Sequence, residues 1–88
     1  MEKTIYKRKV DVEYFNFEDG ILVMKAGNCY ELNEISNFIF LEINGENDLE
    51  NIVEKMSIEY DAEKKEIKDD IIKLCNMMVN AEIIEKID

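Results

Sequence analysis

The sequence predicts an α+β fold in which a three-stranded antiparallel sheet is followed by three helices. Turn signals divide the first third of the chain into short strand-like segments, and a very apolar helical segment follows them directly. Two amphipathic segments then complete the 88 residues. Because apolar residues make up 47% of the chain, we expect one domain, residues 1–88, with a single modest core.

The strands are predicted from alternation and from turns. Val10, Val12 and Tyr14 alternate with acidic residues, which is typical of a half-buried strand. Phe15 and Phe17 then precede a turn signal. The turns are predicted at Glu18-Asp19-Gly20 and Ala26-Gly27-Asn28, and the second and third strands at Ile21–Lys25 and Cys29–Leu32.

The helices are predicted from caps and apolar spacing. Asn33 suits the N-cap and Gly45 the C′ position of a central helix. A second helix is predicted with Asn47 as N-cap and Glu50 three residues later, and a third from near Asp61. Their core stripes are Leu49, Ile52, Val53, Met56 and Tyr60, then Ile67, Ile71, Leu74, Met78 and Ala81, and a terminal extension with Ile83, Ile84 and Ile87 folds back on the core.

The charge distribution excludes some partners. Net charge is −10, and residues 31–88 hold sixteen acids against six bases, whereas residues 1–30 hold five of each. Such a surface repels phosphates, so neither nucleic acid nor an anionic membrane is an expected partner, and solubility alone also explains the acid excess. Apolar runs of four residues cannot span a bilayer, and residues 1–4 show no apolar signal region, so we expect a cytoplasmic protein.

No catalytic constellation is visible in the sequence. Histidine is absent, and there is neither a glycine-rich phosphate loop nor a nucleophile elbow. Cys29 and Cys75 lie in different predicted elements without a second spaced pair, which favours two reduced thiols over a zinc site. We therefore expect no enzyme activity, no metal and no other cofactor.

Several short motifs follow one another along the chain. They are Asp19-Gly20-Ile21-Leu22, Leu32-Asn33-Glu34-Ile35-Ser36, Ile43-Asn44-Gly45, Leu49 with Ile52, Tyr60, Asp70-Ile71 and Ile83-Ile84. In this order they resemble the PqqD family, whose members are also called recognition elements of ribosomally made, post-translationally modified peptides. The likeness covers about Phe17 to Ile84. Glu82 departs from the glycine that usually precedes the final apolar pair, and Ile35-Ser36 stand one step out of the usual Thr-Ala pattern.

The resemblance implies a winged-helix-like domain that binds the leader of a precursor peptide. In that family the leader adds as a strand to the edge of the third strand, beside the third helix. The core segment is then presented to a modifying enzyme such as a radical SAM protein, a cyclodehydratase or a leader protease. Independently, an edge strand beside an apolar helix flank suits β-augmentation.

The candidate peptide-binding residues come from the third strand and from a second row on the third helix. Ile72 and Val79 either line the groove or widen the core, and Cys75 is either a contact or a small buried hydrophobe. Lys65 and Lys68 are either solvated or pair with an acidic leader residue. Tyr30 either packs inward or lines the groove. The full set is Asn28, Cys29, Tyr30, Glu31, Leu32, Lys65, Lys68, Ile72, Cys75 and Val79.

Two other functions fit the same elements. Two helices after a sheet can form a winged-helix DNA-binding regulator, but residues 61–82 hold four lysines against six acids and no arginine. An oligomeric scaffold subunit is the third possibility, and a concentration-dependent mass measurement distinguishes it.

Overall fold

The computed structural model describes residues 4–18 and 20–87. Strands and helices follow one another in an α+β order, with four strands before the first helix. Asp19, part of the predicted first turn and of the first family motif, lies outside the described residues. The elements are β1 Ile5–Arg8, β2 Glu13–Phe17, β3 Gly20–Lys25, β4 Asn28–Leu32, α1 Glu34–Glu42, β5 Asn44–Asp48, α2 Leu49–Tyr60, α3 Lys64–Asn80 and β6 Ile84–Ile87.

Three of the strands form the predicted meander, an antiparallel sheet in the order β2-β3-β4, which we call the meander sheet. Its first strand begins at Glu13, later than predicted, and Val10 is 95% exposed. Gly20 is required by close approach, because a methyl group added there would collide with the carbonyl oxygen of Leu32. The sheet therefore places β4 at an edge, as the sequence predicted.

The prediction of a single sheet is wrong, because a second antiparallel sheet has the order β5-β1-β6. Strands β1 and β5 were not predicted from the sequence. The β5 sequence, Asn44–Asp48, contains no β-branched or aromatic residue, so its strand conformation comes from pairing with β1 and not from its own propensity. The terminal extension does return to the core, where it forms β6.

The helix boundaries correct three details. Asn33 caps α1 as predicted, its side-chain oxygen accepting the Ser36 N–H at 2.9 Å, but the C-cap is Ile43, so Gly45 is not at C′. Because β5 remains paired with β1 up to Asp48, α2 starts one residue late, with Asp48 and Asn51 forming the capping box. Asp61 ends α2 in a left-handed conformation, which delays α3 to Lys64.

The core lies between the two sheets and the helices. Members of both predicted helix stripes are buried, including Ile52 and Ile71, and the stripe predictions are confirmed. Arg8 links β1 to α1 and to the meander sheet. Its guanidinium donates to the Phe40 carbonyl at 2.9 Å and lies 5.5 Å from the centroids of the Tyr14 and Phe40 rings. That contact supplies a cation to the C-terminal end of α1, whose own last turn has none.

The outer face of the meander sheet is unusually apolar. Phe15, Phe17, Leu22 and Met24 share this face by register, and Phe15 is 48% exposed. An antiparallel sheet with one solvated face normally alternates polar residues there. None of the helices in the described residues is long and apolar enough to cross a membrane.

Candidate functional site

Strand β4 offers unpaired backbone groups along one edge. In the part of the chain that the structure describes, it pairs only with β3. The two-residue turn at Ala26 and Gly27 has positive φ at both positions, a type I′ signature, so the flanking Lys25 and Asn28 exchange hydrogen bonds.

Antiparallel pairs alternate between hydrogen-bonded and non-hydrogen-bonded, so the turn fixes the phase of the whole strand. Asn28, Tyr30 and Leu32 direct their N–H and C=O groups to β3. The position of the Leu32 carbonyl against Gly20 agrees with this phase. Cys29 and Glu31 therefore direct their N–H and C=O groups away from β3, towards the free edge.

An apolar groove of about 360 Å³ runs beside this edge, between β4 and the second half of α3. Leu32, Met78 and Ile83 form its buried floor, while Met77 is 64% exposed on its rim. Among the described lining residues Glu31 is the single charged one. We call this depression the groove, and it is lined by Tyr30, Glu31, Leu32, Asn33, Ser36, Leu74, Met77, Met78, Ala81 and Ile83.

The structure brings part of the predicted β4 set to the groove. Tyr30 lies half-buried on the inner face, packed against the core while lining the groove, which answers the question of its direction. Leu32 is buried in the groove floor, and Glu31 lies at its edge. Asn28 and Cys29 are exposed at the start of the strand.

The predicted row on α3 lies away from the groove. Lys68 Nζ is 2.7 Å from Glu50 Oε1 on α2, and Cys75 is completely buried on the side of β1. Ile72 and Val79 are half-buried, Lys65 is exposed, and none of the five lines the groove. The row is therefore mixed: Cys75 belongs to the buried core and Val79 packs against it, whereas Lys68 faces the neighbouring helix and not the strand edge.

The helical wall of the groove consists of Leu74, Met77, Met78 and Ala81. Three of these four residues were predicted in the core stripe, and Met77 was not singled out from the sequence. A usable signal was present: Leu74, Met77 and Ala81 follow one another at spacings of three and four, so they share a helix face. An exposed methionine on such a face adapts readily to irregular apolar partners.

The two thiols have different surroundings. Burial raises the pKa of Cys75 from 9.0 to about 11, so it stays protonated and unreactive at neutral pH. Burial, and to a smaller extent the neighbouring Cys75, raises the pKa of Tyr6. Cys29 is exposed at the strand edge. Within residues 4–18 and 20–87, no group of three or more His, Cys, Asp or Glu side chains could hold a metal ion.

Two of the comparisons with known proteins found a match. The family model "Coenzyme PQQ synthesis protein D (PqqD)" matches residues 16–84. A solved structure described as "TbiB1 in Complex with the TbiA(beta) Leader Peptide" has a TM-score of 0.82 at 18% identity, covering 90% of this chain and 94% of that one. At this identity the structural likeness establishes a shared fold. No curated protein matches the sequence.

Proposed function

The chain belongs to the PqqD family, and we propose on this premise that it is a non-catalytic module that captures the leader of a ribosomally made precursor peptide. One observation carries the proposal: a strand edge with unpaired backbone groups lies directly beside an apolar groove. The first feature suits the backbone of an extended peptide, and the second suits its side chains. The related fold of TbiB1, described in complex with a leader peptide, supports this assignment.

The leader adds to β4 as a fourth strand of the meander sheet. Cys29 and Glu31 provide the backbone hydrogen bonds, because their N–H and C=O groups face the edge, whereas those of Asn28, Tyr30 and Leu32 already bond to β3. A peptide so bound alternates its side chains, one set above the groove and the other along the outer sheet face.

An apolar leader side chain fills the groove. Tyr30 forms the strand wall, and Leu74, Met77 and Ala81 form the helix wall. The proposal keeps the predicted segment Asn28–Leu32. It replaces the predicted helical row with this wall, because Lys68 is paired with Glu50 and Cys75 has no exposed surface.

Once the leader is held, its core segment is delivered to a modifying enzyme, of the radical SAM, cyclodehydratase or leader protease classes. The DNA-binding alternative gains no support from the geometry. Lys64 and Lys68 of α3 lie 3.9 Å and 2.7 Å from Glu54 and Glu50 of α2, which neutralise part of the cationic charge that phosphate binding needs.

Strand addition is tested with a synthetic peptide of the cognate leader sequence and with two substitutions at one position. Cys29→Pro removes an N–H that faces the peptide and not β3, and edge strands tolerate proline there. Cys29→Ala removes the side chain but keeps the N–H. We expect Cys29→Pro to remain folded by circular dichroism and lose leader binding, and Cys29→Ala to keep it. Equal affinity in both variants contradicts strand addition.

Chemical-shift mapping shows where on the protein the leader binds. The leader is expected to shift amide resonances in residues 28–32 and 74–81. Shifts confined to α2 and β5 contradict the proposed site.

A further inference from the structure

A second depression of about 300 Å³ adjoins the groove at the C-terminal end of β4. We call it the acidic recess, and it is lined by Glu18, Gly20, Glu31, Leu32, Asn33 and Glu34. Glu31, Leu32 and Asn33 line both depressions, so the recess continues the groove without a break. A strand on the β4 edge that fills the groove therefore passes the recess within about three residues, since each residue spans roughly 3.3 Å.

The carboxylates of the recess lack cationic partners. Across the described residues, neither Glu18, Glu31 nor Glu34 has a lysine or arginine nitrogen within 4.0 Å, whereas Glu42 and Glu50 are paired with Lys55 and Lys68. Glu34 contributes to raising the pKa of the Tyr60 hydroxyl, after the larger effect of burial. The three glutamates do not form a metal-binding group.

We infer that the site selects leader peptides in which a lysine or arginine lies within about three residues of the apolar anchor. This inference rests on the proposed function, because it requires that a peptide fills the groove. A long cationic side chain can reach the recess while its anchor occupies the groove, and it meets three carboxylates that have no lysine or arginine partner among the described residues.

The preference for a basic leader residue comes from the carboxylates of the recess, and not from the net charge of −10 alone. At physiological ionic strength the Debye length is about 8 Å, so distant acids are largely screened, while carboxylates beside the bound peptide are screened less. Lys65 and Lys68, the cations first considered as partners for an acidic leader, line neither depression, and Lys68 is paired with Glu50 of α2. The recess therefore favours the opposite charge in the leader.

The test is selection of a phage-displayed library of random twelve-residue peptides on the immobilised full chain. It is repeated on the recess variant Glu18→Gln/Glu31→Gln/Glu34→Gln and on the control variant Glu46→Gln/Glu59→Gln/Asp69→Asn. Both variants lose three negative charges, and the control positions are exposed and line neither depression. Circular dichroism checks both folds, and the single substitution Glu31→Gln replaces the triple variant if that variant unfolds.

We expect Lys or Arg to be enriched beside apolar residues on the native chain and the control variant, and the enrichment to vanish on the recess variant. A selected peptide should lose about three- to tenfold in affinity when its basic residue becomes glutamine, the range for one or two partly exposed ion pairs.

Two other outcomes separate the inference from the proposed function. Peptides that shift the β4 amides but show no basic enrichment, or equal enrichment on all three proteins, overturn the inference and leave the proposed function intact. If no peptide is enriched, or if the selected peptides leave the β4 amides unshifted, the proposed function is contradicted, and the inference with it.

Discussion

Met77→Glu separates peptide binding from folding at the groove. Met77 is 64% exposed in the free protein and forms part of the helix wall. Glutamate has nearly the same helix propensity as methionine, so the helix itself is not penalised. The variant places a carboxylate where the leader's apolar anchor should lie.

The two expected effects differ in size. Full burial of a methionine contributes about 1.5–3 kcal/mol, and roughly a third of Met77 is buried, so the free energy of unfolding should fall by only ~0.5–1 kcal/mol. An unpaired polar group covered by an apolar anchor costs about 1–3 kcal/mol, which corresponds to a roughly 5- to 150-fold weaker leader affinity.

Isothermal titration with the leader measures the affinity, and urea unfolding measures the stability. Ile58→Glu is the matched control, because Ile58 is 76% exposed on α2 and does not line the groove. We expect it to keep leader affinity. Ile72→Glu extends the comparison to the row first predicted from sequence. Loss of binding in Ile72→Glu with native affinity in Met77→Glu would refute the assignment of the helix wall.

Three further predictions concern stability. Because the folded state raises the Cys75 pKa from 9.0 to about 11, its contribution is complete below pH 9 and is lost as pH rises towards 11, up to ~3 kcal/mol at about 1.4 kcal/mol per pKa unit. Urea unfolding at pH 8 and pH 10.5 should show this loss, with a shallower loss in Cys75→Ala; equal losses in both proteins would contradict it. Arg8→Ala removes charge-assisted bonds to the end of α1 and should cost about 1–3 kcal/mol in urea unfolding, and an unchanged value would mean that the contact is not stabilising. Gly20→Ala should cost about 1–3 kcal/mol because β3 and β4 must separate, which a melting temperature equal to wild type would disprove.

The parts of the fold that local sequence encodes were predictable. Turn residues defined the meander, the Asn33 side chain capped α1, and apolar spacing identified the buried faces of α2 and α3. In each case the determining interaction lies within a few residues along the chain. The edge position of β4 followed from the same information.

Long-range pairing could not be predicted in this way. Strand β5 exists because β1 lies beside it, and the same pairing keeps Asp48 extended and moves the start of α2. The groove wall depends on how α3 is rotated against β4, and helical spacing alone left two faces available. Pairs such as Lys68 with Glu50 show which face turned towards α2.

The apolar outer face of the meander sheet was also missed. Phe15 and Phe17 were placed before a turn, and their shared face emerged only from the register with Leu22 and Gly20. A solvated sheet face normally carries polar residues. Because β2 and β3 carry apolar residues on both faces, their sequences did not indicate which face is buried.

Amide hydrogen exchange along β4, with and without the leader, distinguishes strand addition from other modes of leader binding. In the free protein the amides of Tyr30 and Leu32 should be protected by β3, while those of Cys29 and Glu31 exchange rapidly at the open edge. Leader binding should slow the exchange of Cys29 and Glu31 and leave the alternate residues nearly unchanged. Exchange at Cys29 and Glu31 that stays rapid in the saturated complex would contradict leader capture by strand addition.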